Sequence, residues 1–173
     1  MESRVKLFGH PIHPMLIVLP LGLLSAAVVF DVVYLVTDEP AFSVVAYWNI
    51  AAGIVGGLLA AVFGAWDWAH IPKETRAKRI GLMHGGGNVV VVALFAISWL
   101  IRGGATDYEP SGLAYALSFA GLALAAVTGW LGGELVDRLG VGVDDGANLN
   151  APSSLSGAPA SDLPSAEPPL GRS

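Results

Sequence analysis

Apolar residues along the chain gather into four long runs: Met15 to Val36, Val44 to Trp66, Leu82 to Ile101 and Leu113 to Leu131. A helix needs about 20 such residues to cross the hydrocarbon core of a bilayer. Asp31 is the one formally charged residue inside any run. The connectors, residues 37–43, 67–81 and 102–112, are short enough to force antiparallel neighbours. The pattern predicts an all-α fold, an integral membrane up-down four-helix bundle over residues 1–143. From residue 144 the character changes to "GANLNAPSSLSGAPASDLPSAEPPLGRS" and its flank, rich in Pro, Ser, Ala and Gly and without periodicity. Such a stretch buries too little apolar surface to offset its chain entropy, so a disordered C-terminal tail is expected over residues 144–173.

Composition agrees with lipid as the main solvent. Of the 173 residues 54% are hydrophobic and 13% charged, against about 25% charged in soluble domains. The first run exceeds the roughly 7 to 15 residues of a signal-peptide core, and Asp31, Tyr34 and Asp38 interrupt its end, so it reads as a retained span. Having no cysteine, the chain can form no disulfide or thiolate metal site. A net charge of −5 offers no basic face for nucleic acid. Basic residues are lopsided: Arg4, Lys6, Lys73, Arg76, Lys78, Arg79 and Arg138 lie on the side of the N-terminus, Arg102 alone on the other. That asymmetry predicts cytoplasmic N- and C-termini.

Polar residues inside the runs share faces. Eighteen residues make five helical turns, and this interval separates His13 from Asp31, Asn49 from Asp67, and His84 from Arg102. Glycines and alanines on the second and fourth runs form small faces that let helices approach closely. Asp31 and Asn49 fall at equal depth near the outer ends of consecutive helices. A carboxylate facing lipid costs about 2.5–3.5 kcal/mol, so Asp31 is expected to face the bundle with Asn49 as its structural partner.

All four histidines fall at the cytoplasmic end under this topology. His10 and His13 precede the first run, His70 follows the second, and His84 opens the third. Pro14 suits a first helical position, and His13 and His84 at positive helix ends would stay neutral, the form that binds a metal. Asp67, Glu74 and Glu134 supply oxygen donors at the same level, and Asn88 could orient His84 from behind. Three readings compete. The histidines fasten the bundle end through hydrogen bonds, as in a non-catalytic scaffold or accessory subunit. Alternatively two histidines from facing helices, drawn from His13, His84, His10 and His70, ligate haem b for electron transfer. In the third, His10, His13, Asp67, His70, His84 and Glu134 hold a divalent transition metal. Partners implied are the lipid bilayer and a redox or membrane-complex protein. Neither a nucleophile elbow nor a phosphate loop accompanies "HGGGN" (84–88) or "GWLGG" (129–133).

"GHPIHPMLIVLPLGLLSAAVVFD" (9–31), "GAWDWAHIP" (64–72), "HGGGN" (84–88) and "GWLGGELVDRLGVGV" (129–143) together resemble a bacterial membrane-protein family, domain of unknown function 2231. The likeness covers roughly residues 7–143 in order. It implies a small four-helix domain in the bacterial inner membrane, brings no established activity, and carries its motif onto His10, His13, Pro20, Asp31, Asp67, His84, Gly132, Gly133 and Glu134. Many relatives place a histidine after the arginine of the last motif, where this chain has Leu139. A cofactor site here cannot use that ligand.

Overall fold

A computed structural model describes residues 1–162. Helix α1 covers Ile12–Leu16 and α2 Val18–Thr37; α3 covers Pro40–His70, α4 Arg76–Arg102 and α5 Gly112–Gly133. Taking α1 and α2 as one span, four helices are long and apolar enough to cross a membrane. They run up and down, each packed on its chain neighbour, and α2 also packs on α5 to close the ring. The expected four-helix membrane bundle is what forms. Its core is Leu24, Ala27 and Val28 of α2, Ala46 and Ile50 of α3, and Val91 and Phe95 of α4. Gly121 of α5 lies so near Phe95 that a Cβ would come within 2.8 Å of the ring. Leu, Val and Trp side chains cover the outside, as lipid-facing surfaces require.

The helices outrun the apolar runs. Helix α3 starts at Pro40 because proline suits the first turn, where its missing N–H is no loss. Helix α4 starts at Arg76, capped by the Thr75 hydroxyl, which accepts from the Lys78 amide at 3.1 Å. His84 is therefore two turns inside its helix and not at the positive end. Helix α1 begins at Ile12, which makes Pro14 the third helical residue. The break at Ile17 coincides with Pro20, which has no N–H to offer the Leu16 carbonyl.

Before α1 the chain forms a hairpin of β1 (Lys6–Leu7) and β2 (His10–Pro11), with Leu7 opposite His10. Phe8 and Gly9 both have positive φ, 51° and 81°, the signature of the two-residue turn that matches strand twist. The end of the bundle holding this hairpin, the α3–α4 loop and the exit of α5 is the proximal end. Asp67 of α3 ties the N-terminal segment down, accepting from Ser3 Oγ at 2.6 Å and the Arg4 amide at 2.8 Å.

Residues 144–162, expected to lack structure, lie as turns against the hairpin; the rest of that expected tail falls outside the described residues. Lys6 Nζ bridges Glu2 at 2.7 Å and Asp144 at 2.5 Å, and Ser154 Oγ donates to the Phe8 carbonyl at 3.1 Å. The hydrogen bond to Asp144, with that to Glu2, raises the Lys6 ammonium above its ordinary 10.5; the Lys6 bond lowers the Glu2 carboxyl below its ordinary 4.5. Lys6 thus stabilises docking fully below pH 10.5 and stops as pH rises through its folded pKa. Glu2 does so above pH 4.5 and stops as pH falls through its own. Hydrogen-exchange protection of residues 144–162, corrected for intrinsic rates, should hold at neutral pH and fall on acidification below that range. Unchanged protection would refute the docking.

Candidate functional site

His13 and His84 meet inside the proximal end. Their ring centroids are 6.3 Å apart and the planes nearly perpendicular, at 88°. Each imidazole reaches a main-chain carbonyl on a neighbouring helix through Nδ1: His13 to Ala60 of α3 at 2.9 Å, His84 to Thr128 of α5 at 2.8 Å. A carbonyl can only accept, so both Nδ1 atoms carry the proton. In the neutral imidazole, Nε2 then holds the lone pair. Glycines admit the rings. A Cβ on Gly64 would lie 2.8 Å from His13 Cε1 and Nδ1, and one on Gly132 would lie 3.1 Å from His84 Cε1.

Around His84 the polar groups form a chain. Asn88, one turn on, donates through Nδ2 to the His84 carbonyl at 2.9 Å, and the same nitrogen stands 3.4 Å from His84 Nε2. Thr128 Oγ1 donates to Asn88 Oδ1 at 3.0 Å. Thr128, absent from the sequence expectations, thus holds His84 with its carbonyl and Asn88 with its hydroxyl. Asn88 therefore stands on the Nε2 side of His84, and the far nitrogen, Nδ1, is held by the Thr128 carbonyl instead.

The other residues expected at this site go elsewhere. His10 sits on β2, exposed, with Nε2 3.4 Å from Ser154 Oγ. His70, exposed at the last position of α3, turns Nδ1 back to the Trp66 carbonyl at 2.8 Å. Asp67 is occupied by the N-terminal segment, Glu134 pairs with Arg76 at 2.6 Å, and Glu74 is exposed on the α3–α4 loop. Among the described residues no three His, Asp or Glu side chains converge in a metal-binding group. The expected six-residue metal cluster reduces to one pair of imidazoles.

A second polar cluster occupies the opposite, distal end. Asp31 of α2 and Arg102 of α4 form a two-pronged ion pair at 2.6 and 2.7 Å, both side chains fully buried. Arg102 Nη2 also donates to Ser118 Oγ of α5 at 3.1 Å and Nε to Ser98 Oγ at 3.3 Å; Ser98 in turn donates to the Ala114 carbonyl. The partner of Asp31 is therefore Arg102 and not Asn49, which is half-buried on α3. Sequence reasoning placed Arg102 in a loop. One signal could have found it: Asp31 is an anion within a span near the distal end, and among the described residues Arg102 is the only cation there.

A family model described as predicted membrane protein (DUF2231) matches residues 9–145. The chain belongs to this family. Neither the curated proteins nor the solved structures hold a match. Within the DUF2231 region, the His-Pro opening and the His-Gly-Gly-Gly-Asn segment of α4 supply the two imidazoles of the pair. Its Gly-Gly-Glu exit supplies the glycine against His84 and the carboxylate that anchors Arg76. Asp31 and Arg102 both lie within the matched residues.

Proposed function

We propose that His13 and His84 are the two protein ligands of a b-type haem and that this four-helix membrane protein carries electrons. The supporting observation is the pairing of two imidazoles whose Nδ1 protons are committed to carbonyls on opposite helices, with centroids 6.3 Å apart. With Nδ1 of each ring turned to a carbonyl, His13 and His84 are the residues that would hold the group through Nε2. Hydrogen-bonding the far ring nitrogen to a carbonyl is also how proteins fix the orientation of a ligating histidine. Ligand count favours haem over a bare divalent metal. A closed tetrahedral site takes four protein donors, whereas a haem brings nitrogen donors of its own and would need only His13 and His84 from the protein. Haem would supply one-electron chemistry when bound; the chain's part is to fix both imidazoles through their Nδ1 atoms. The lopsided basic residues favour the proximal end facing the cytoplasm of a bacterial inner membrane, so a redox partner would meet the protein there.

A second reading rests on the glycine notches. Each ring fills the space over Gly64 or Gly132 and ties two helices, which is what an accessory subunit or scaffold with structural histidines needs. Haem and iron content of the detergent-purified chain separates the two. Haem at about one per chain supports the electron carrier; folded protein without haem, even after reconstitution with hemin, leaves the scaffold.

A further inference from the structure

We propose that the cleft between the end of α3 and the first turns of α4 binds the headgroup of an anionic phospholipid, whose acyl chain runs down α4. The cleft has a volume of about 340 Å³ and is lined by Trp68, Glu74, Thr75, Lys78, Arg79 and Leu82. Lys78 stands with its ammonium 3.9 Å over the Trp68 ring and donates to the carbonyls of Trp68 at 2.6 Å and Ala69 at 3.3 Å. An ammonium has three donors, so one remains for a ligand. Arg79 is exposed and has no carboxylate within ion-pairing distance among the described residues. The start of α4 adds the positive end of a 27-residue helix. Among the residues that line the cleft the one carboxylate is Glu74, and Glu134 is taken up by Arg76.

Below the charged rim the same face of α4 is prepared for hydrocarbon. Leu82 and Val89 are 59% and 68% exposed. Between them Gly85 and Gly86 present a flat path, since a Cβ on either would meet nothing within 4 Å. Cations above and a smooth apolar track beneath fit a phosphodiester with a chain attached. A soluble phosphate would use only the rim. Attraction of Lys and Arg to anionic lipid surfaces amounts to about 1 kcal/mol per residue, and a tryptophan at the headgroup level is a common anchor. The site is independent of the imidazole pair and stands whether or not haem is bound.

Native mass spectrometry of the full chain in detergent, titrated with phosphatidylglycerol or phosphatidylcholine, tests this. Phosphatidylglycerol should bind more tightly. Arg79→Gln should weaken it about fivefold and leave phosphatidylcholine unchanged. Gly86→Leu, which fills open space and keeps every cation, should also weaken phosphatidylglycerol, and inorganic phosphate should not displace the lipid. Equal binding of the two lipids, or an Arg79→Gln variant that is folded and unaffected, would overturn the proposal. So would displacement by inorganic phosphate together with an unaffected Gly86→Leu, which would mark a soluble-anion site only.

Discussion

Replacing Arg102 by methionine is expected to destabilise the bundle by about 3–5 kcal/mol, the usual cost of leaving one member of a buried ion pair alone. Asp31 is wholly buried, and Arg102 supplies both of its strong hydrogen bonds. With Arg102 gone, the carboxylate must ionise without a partner or be protonated, and Ser118 loses a donor. Asp31→Leu should be comparably harmful, because a guanidinium then stays buried between two serines. The double variant Asp31→Leu/Arg102→Met should recover most of the loss, since apolar replacements of both partners are often neutral. Thermal unfolding in detergent, followed by circular dichroism, reads all three. Additive losses in the double variant would mean that the two residues do not act as a pair.

Gly64→Leu is expected to cost about 2–4 kcal/mol and to expel the His13 ring from its place. The new Cβ would stand 2.8 Å from both Cε1 and Nδ1 of the imidazole, so the ring must move and its bond to the Ala60 carbonyl must break. Overpacking at about 1–3 kcal/mol and a lost hydrogen bond at about 1 kcal/mol combine to that figure. Gly85→Leu is the control. It adds the same side chain one residue beyond His84 where a Cβ meets nothing within 4 Å, and stability should hardly change. Unfolding temperatures that fall equally in both variants would show that a general effect of the added side chain, and not the imidazole, sets the loss.

The bundle is legible in the sequence because lipid turns a three-dimensional problem into a one-dimensional one: a span must be apolar for its whole length. Helix ends are less so. Basic residues at a membrane boundary can continue a helix while their charges reach water, which is how α4 begins at Arg76 and His84 moves away from the helix end. His10 and His70 share the level of His13 in sequence terms. They leave it because His10 lies exposed on the hairpin beside Ser154 and His70 is exposed at the last position of α3, turned back to Trp66. The acceptors that fix the imidazole pair are main-chain carbonyls of Ala60 and Thr128, which no side-chain pattern announces. The Asp31–Arg102 pair joins residues 71 apart in the chain. Only the scarcity of positive charge at the distal end pointed to it.

The central claim is that His13 and His84, and neither of the other histidines, make one ligand pair. The most direct measurement is the reduced-minus-oxidised absorption spectrum of the purified protein and of the four single His→Ala variants. The account predicts a b-type spectrum in the parent chain, retained in His10→Ala and His70→Ala and abolished or converted to a five-coordinate form in His13→Ala and His84→Ala. A spectrum that survives both of those substitutions, or a folded parent chain that takes up no haem at all, contradicts it.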